Sequence, residues 1–460
     1  MDRLSPLDAA FVEAEDQDRH TSMAIGSLAV FEGPVPTYDE VVATVGRHLS
    51  QLPRYRQRLR AVPWHLAAPV WVDDPEFDIR FHIRKTAVPE PGGDAELNRL
   101  ISRVMSQRLD RDRPLWEYWM VTGVAGNHWA LLSKVHHCMV DGVSGTDIYR
   151  VMFDTPGGDR QHPPDQRTTR SGLRLLAAAA LEDLALPARA ARAGLTMAGD
   201  PAGTWRYVRT VSRAAWAARG ALVPAPRSSL SGRVGQQRHY TAVRLPFADV
   251  RAVRHELGGT VNDVVLAAIS SGFRSMLISR GETPRPHSVP SLVPVSVRPP
   301  GSEDVYDNEV SALIVDLPVH VADPVEQLAW LRSRLAHLKS EEEPRLGEAL
   351  TALARFVPYG GWSAFVRFGF RLPQREIVTV TTNVPGPRET LFCLGRPLVE
   401  ILPYVPIAST VRVGVAIFSY RDQLTFGITG DYDTTPDLAL LAHGIEDGMS
   451  ALVKAAAGVA

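Results

Sequence analysis

The sequence predicts two α/β units of comparable size, each built on a mixed sheet, joined by a long helical connection and forming a site where they meet. Three observations lead there. Helix-period and strand-like stretches alternate through both halves. An alanine- and arginine-rich, proline-broken stretch separates them over about residues 161–236. The length of 460 residues also exceeds one ordinary domain of roughly 100 to 200 residues. The expected partition is 1–160 for the first unit, 161–236 for the linker and 237–460 for the second unit.

In the first unit, residues 94–109 carry Leu97, Leu100, Ile101, Val104, Met105 and Leu109 at helical spacing, so a helix with one buried face is expected. Residues 115–124 and 129–135 are aromatic and β-branched runs around Ala125-Gly126-Asn127, whose Gly-Asn pair suits a hairpin turn. The second of these strands runs straight into His136 and His137. Beyond the linker, strands are expected at 240–245, 288–297, 310–317, 377–384 and 411–420, with 424–429 pairing back on the last of them. Helices are expected at 261–279, at 324–339 and from about 437 to the end.

Composition narrows the function. Lys plus Arg number 50 against 51 Asp plus Glu, for a net charge of −1, which argues against a nucleic-acid binder. Only Cys138 and Cys393 occur, too few for a disulfide scaffold or a cysteine-rich zinc module, and they fit a reducing cytoplasm. The first residues lack the charged-then-apolar pattern of a secretory signal, and charges interrupt every apolar run before about 18 residues, so any membrane contact is expected to be peripheral. Two segments offer such contact. The linker carries many arginines, and 353–372 interleaves Phe356, Tyr359, Trp362, Phe365, Phe368 and Phe370 with arginines. A solvated linker face and ordinary core-packing helices are the competing readings of these segments.

No phosphate-binding loop, dinucleotide fingerprint, H-E-x-x-H or G-x-S-x-G is present. The dense polar cluster is instead His136-His137-Cys138-Met139-Val140-Asp141-Gly142, which ends an apolar strand. Neighbouring strand residues face opposite sides, so one imidazole is expected to face the interior and the other a cavity. That alternation opposes a metal site made from His136, His137 and Asp141, and none is expected. A neutral imidazole with a reference pKa near 6.5 suits a general base. Gly142 leaves room beside Asp141, and Cys138 is expected to pack as a small hydrophobe rather than act as a nucleophile.

This motif matches the HHxxxDG signature of the CoA-dependent acyltransferase superfamily, and the rest of the chain resembles the bacterial wax ester synthase and diacylglycerol acyltransferase family nearly end to end. The resemblance is carried by Leu4-Ser5-Pro6-Leu7-Asp8-Ala9-Ala10-Phe11 with Glu15, and by Pro114-Leu115-Trp116 and Asn262-Asp263-Val264-Val265. Pro294-Val295-Ser296-Val297-Arg298, Asn383-Val384-Pro385-Gly386-Pro387 and Ser419-Tyr420 complete it. Two departures, Ser22-Met23-Ala24-Ile25-Gly26 and Thr382 before Asn383, fall outside the histidine motif and bear on the pocket lining.

The resemblance implies two chloramphenicol-acetyltransferase-like domains with the active site between them, and acyl transfer from acyl-CoA to diacylglycerol or a long-chain alcohol. His137 would be the base, with His136, Asp141 and Gly142 supporting the motif. The superfamily further implies an ion pair between Asp141 and an arginine of the second domain, with Arg298 as the candidate. Asn262, Thr382 and Asn383 are candidates for substrate or oxyanion contacts, and Glu15, Trp116, Asp263 and Arg298 for structural support, with Glu15 expected to bond Asn262. No bound cofactor is expected, acyl-CoA being a co-substrate. The expected location is cytoplasmic, peripheral at the inner membrane face or on lipid droplets.

Overall fold

The computed structural model describes residues 3–49, 52–62, 67–139, 153–154, 205, 228–296, 310–340, 359–371 and 377–459. Asp141, Gly142, Arg298 and nearly all of the expected linker lie outside them; residues 228–236, at its end, are irregular rather than helical.

The first unit begins with α1 (Pro6–Gln17), started by Pro6 and by the Ser5 hydroxyl, which accepts the Asp8 N–H at 3.1 Å. There follow β1 (Ala24–Glu32), α2 (Tyr38–Leu49), β2 (Gln57–Arg60), β3 (Val70–Asp73), α3 (Ile79–His82) and β4 (Ile83–Ala87). Next come α4 (Asp94–Ser106), β5 (Trp116–Val124) and β6 (His128–His136). The turn between β5 and β6 has Gly126 at φ 74° and Asn127 at φ 57°, the left-handed pair that a tight hairpin requires. The apolar stripe of α4 is buried as its period predicts.

The second unit holds β7 (Arg238–Pro246), α5 (Phe247–Leu257), α6 (Val261–Ser279), β8 (Pro290–Ser296), β9 (Val310–Asp316), α7 (Pro324–Ser340) and α8 (Tyr359–Arg371). It continues with β10 (Thr379–Pro385), β11 (Phe392–Cys393), β12 (Arg396–Tyr404), β13 (Val413–Tyr420), β14 (Gln423–Asp431) and α9 (Leu438–Val459). Strand β14 pairs back on β13 from Tyr420↔Gln423 to Val413↔Gly430. Helix α6 is long and apolar enough to cross a membrane, but it is buried as the centre of the second core. It packs so closely on α9 that a Cβ on Gly444 would come within 2.7 Å of the Gly272 Cα.

Two six-stranded mixed sheets result, in the orders β11-β12-β1-β6-β5-β4 and β7-β14-β13-β10-β8-β9. The first includes β11 and β12, so residues 392–404 leave the second unit and complete the sheet of the first. The boundary drawn at 237 therefore divides the chain but not the sheets. Strand β12 pairs with β1 from Gly26↔Tyr404 to Phe31↔Leu398. It also packs against β13 and β14 of the second sheet, and the Tyr240 hydroxyl of β7 donates to the Pro403 carbonyl at 2.9 Å. Arg244 of β7 adds an ion-pair clamp, 2.6 Å from Glu400 of β12 and 2.8 Å from Asp94 of α4.

Candidate active site

The core strand β6 carries the paired histidines to the end of the first sheet. Its neighbour β1 places Ala24 opposite His136, and the next amide, His137 N–H, donates to the Met23 carbonyl at 2.9 Å. The strand stops there, and His137–Met139 form one 3-10 turn. A Cβ on Gly26 would lie 2.2 Å from the Ser133 carbonyl, so the close approach of β1 to β6 requires glycine at that position.

The two imidazoles sit in different surroundings, although only His136 lies on the strand and His137 opens the turn after it. His136 is fully buried, whereas His137 is half-buried with its ring centroid 4.0 Å from that of Phe11 on α1. His136 Nδ1 accepts the Cys138 N–H at 3.2 Å, so a neutral ring carries its proton on Nε2. That nitrogen lies 3.7 Å from a Glu15 carboxylate oxygen, a charge contact rather than a hydrogen bond. Burial lowers the His136 pKa and keeps the ring neutral, partly opposed by Glu15. Through the Cys138 amide, His136 fixes the turn that presents His137.

Glu15 anchors this arrangement. It accepts the Met23 N–H at 3.0 Å and both Arg111 donors, at 2.9 and 2.6 Å, and Arg108 lies 3.3 Å away. Burial pushes its pKa up, but His136, Arg111 and the Met23 amide outweigh that and hold the carboxyl well below the usual range. The expected bond from Glu15 to Asn262 is not formed, because α1 docks against the arginines following α4 instead. Helix α1 still reaches the second unit, but through Glu13, which accepts the Ser363 hydroxyl of α8 and lies 3.6 Å from Arg367.

Lys134, two residues before His136, is also fully buried. Its ammonium donates to the carbonyls of Val104 and Gln107 at 2.9 and 2.6 Å, capping the C-terminal end of α4, and burial pushes its pKa down to about 8. Burial raises the Cys138 thiol pKa well above its ordinary value, which suits a packed side chain and not a nucleophile.

The remaining candidates separate. Trp116 is buried in the first core, donates its indole N–H to the Tyr55 carbonyl at 2.8 Å and stacks on His82 at 4.5 Å. Asp263 completes a capping box with Thr260, accepting its N–H at 2.7 Å, and so starts α6. Asn262 is half-buried in that same first turn. Thr382 and Asn383 are half-buried on β10, opposite Ala416 and Ile417 of β13. Sequence reasoning missed Arg111, Arg108 and Lys134. The run Arg108, Arg111, Arg113 between a helix and Pro114-Leu115-Trp116 was the one signal that a buried acid lay opposite. Among the described residues no cluster of ligating side chains could hold a metal.

Two α/β units sharing one strand crossover, with a buried histidine orienting a half-buried one at the end of the central strand, define the condensation-like acyltransferase fold. The first condensation domain of the calcium-dependent antibiotic synthetase shares that fold, with a TM-score of 0.61 at 15% identity over 99% of this chain and 96% of that one. A wax ester synthase/diacylglycerol acyltransferase from Marinobacter aquaeolei VT8 superposes with a TM-score of 0.66 at 26% identity, covering 99% and 100% of the two chains. A probable diacylglycerol O-acyltransferase of Mycobacterium tuberculosis, tgs1, is 41% identical over 98% of this chain and 96% of its own length. The sequence models of the wax ester synthase/diacylglycerol acyltransferase catalytic domain and of the family's C-terminal domain match residues 4–265 and 306–453. The chain belongs to the wax ester synthase/diacylglycerol acyltransferase family.

Proposed function

We propose that the protein transfers a long-chain acyl group from acyl-CoA to the free hydroxyl of diacylglycerol, forming triacylglycerol, and accepts long-chain alcohols as alternative acceptors. The observation that carries this reading is the half-buried His137 held on its turn by the Met23 carbonyl and by His136. The names of the mycobacterial and Marinobacter relatives support the choice of acceptors.

The thioester is already activated, so one base suffices. His137 removes the proton from the acceptor hydroxyl as its oxygen attacks the thioester carbonyl. The tetrahedral intermediate collapses, the carbon–sulfur bond breaks, and the CoA thiolate leaves with the proton returned by His137. A positioned base contributes about 10²- to 10⁴-fold, or roughly 3 to 5 kcal/mol. Donors to the oxyanion supply a further share, and Asn262, Thr382 and Asn383 are the candidates. Asp141 and Gly142 keep the supporting roles that the family motif gives them, and Arg298 remains the proposed partner of Asp141. We read the site of action as cytoplasmic, at the inner membrane face or a lipid-droplet surface, where such acceptors partition.

Purified wild type and His137→Ala, assayed with radiolabelled acyl-CoA against a panel of diacylglycerols and alcohols, test the reading. Wild type is expected to label triacylglycerol and the variant to lose at least about 100-fold. Full transfer by the variant would refute the mechanism, and transfer only to other acceptors would refute the assignment of substrate.

A further inference from the structure

A cleft of about 860 Å³ lies on the seam between the units, with α4 on one side and β7 with the segment before it on the other. Its size falls in the range of roughly 300 to 1,000 Å³ that small-molecule sites occupy. Its lining includes five arginines and, among the described residues, no carboxylate. Two of the five are already compensated, since Arg99 pairs with Glu96 and Arg108 with Glu15. Arg19 and Arg103 have no acidic partner among the described residues and stand at the surface of the cleft.

Arg238 is the most informative of them. It is only 3% exposed, yet its guanidinium meets no carboxylate among the described residues; it donates to the carbonyls of Gly235, Gln237 and His20 at 2.7 to 3.0 Å. A buried guanidinium that meets carbonyls and the Tyr404 hydroxyl but no carboxylate is left without a compensating negative charge, and it lines a cleft that is partly open to solvent. Beside it, His239 and Tyr432 meet edge to face at 4.4 Å, and Tyr432 leaves 47% of its surface free. Cations beside an uncovered aromatic face are the combination that binds a nucleotide, through its phosphates and its base.

We propose that this cleft binds the nucleotide end of acyl-CoA. Arg19 and Arg103, backed by the field of Arg238, take the 3′-phosphate and the diphosphate, and Tyr432 stacks on the adenine. The proposal rests on the acyl-CoA reading above and adds to it the place and the residues. CoA carries its charge at one end and its thioester at the other, so the phosphate site need not adjoin His137. The cleft is nonetheless linked to the histidine turn, because Arg108 in its wall pairs with Glu15, the carboxylate beside His136. A lipid headgroup offers the same phosphate chemistry, but the aromatic pair beside the arginines favours the nucleotide.

The test compares the full-length wild type with Arg103→Ala, Arg19→Ala and Tyr432→Ala in two assays. In titration calorimetry with adenosine 3′,5′-bisphosphate, each arginine variant is expected to weaken binding about tenfold. In steady state, the ratio of kcat/KM for acyl-CoA to that for acyl-pantetheine, which lacks the nucleotide, is expected to fall by a similar factor in each variant. An unchanged ratio, or a wild type that uses both donors equally, would overturn the proposal. So would phosphatidylglycerol vesicles losing affinity in these variants while the bisphosphate does not, which would give the cleft to a headgroup. If the wild type transfers from neither donor, the proposed function fails, and the calorimetry still decides the cleft.

Discussion

The Glu15 carboxylate lies 3.7 Å from His136 Nε2 and 2.6 Å from Arg111, so one buried acid joins the N-terminal helix, the loop after α4 and the histidine strand. None of these contacts touches His137, yet all of them determine where its turn sits. Glu15 is thus a positioning residue, and its loss acts on geometry before chemistry.

Glu15→Gln keeps an acceptor for the Met23 amide and removes the charge that compensates Arg111 and Arg108. Removing one partner of a buried pair costs about 3 to 5 kcal/mol, and the partial exposure of both arginines reduces that to about 2 kcal/mol. The expected outcome is a lower denaturation midpoint together with a kcat reduced about tenfold or more at nearly constant KM for acyl-CoA. An unchanged kcat with only the stability loss would show that Glu15 holds the fold without orienting the turn.

His136 gives a pH dependence with a defined sign. Burial lowers its folded pKa below 6.5, while the unfolded chain takes up a proton near 6.5. The unfolded state therefore binds more protons below that pH, so stability is complete above 6.5 and is lost as the pH falls through and beneath it. Glu15, depressed from 4.5, adds its own loss only below that value. In His136→Gln, which retains an acceptor for the Cys138 amide, the melting temperature should vary less between pH 6.5 and 4.5 than in wild type. Parallel profiles would mean that another group titrates.

How much of this was legible in the sequence follows from the range of each interaction. The β5–β6 hairpin was legible because Gly126 and Asn127 must take positive φ next to each other, a local requirement. Helix α6 was legible to the residue because Thr260 and Asp263 form a capping box at its start and a long apolar run follows. The crossing strand β12 was not. Pro397, Glu400 and Pro403 break its alternation, and its partner β1 lies more than half the chain away. The partner of Glu15 was misassigned for the same reason. An acid on a helix shows in the sequence that it needs a cation or a donor, whereas the choice between Asn262 and Arg111 depends on how α1 docks.

The seam between the sheets is sensitive to one atom. A Cβ on Gly427 would lie 1.8 Å from the Pro403 carbonyl oxygen and 2.7 Å from the Tyr240 hydroxyl that donates to it. Backbone cannot yield as a flexible side chain does, so Gly427→Ala should force β12 and β14 apart and cost about 3 kcal/mol. Tyr240→Phe removes only the hydrogen bond and should cost about 1 to 2 kcal/mol. Chemical denaturation of both variants checks the order; a Gly427→Ala protein as stable as wild type would show that the seam can slide.

Arg244 clamps the same seam from its edge. It is 29% exposed and pairs with two carboxylates on different elements, so solvent screening limits its contribution. Arg244→Met is expected to cost about 1 kcal/mol at low salt and less as salt rises. A double-mutant cycle with Glu400→Gln measures the pair directly, and a coupling indistinguishable from zero would leave the crossover held by backbone pairing and apolar contact alone.

The segment around α8 bears on contact with lipid. Trp362 is 3% exposed and Ser363 fully buried, while the residues of α8 turned to solvent include Gly361 and Ala364, which are small. The side chains of Phe365, Phe368 and Phe370 lie outside the described residues. A tryptophan already removed from water gains nothing further from entering a bilayer. Trp362→Ser should therefore destabilise the fold by about 3 to 5 kcal/mol, the cost of an emptied core position. Its flotation with anionic vesicles, measured below the melting transition, should match wild type. A variant that kept its stability and lost vesicle binding would instead make Trp362 part of a lipid anchor and require α8 to leave α1 at the membrane.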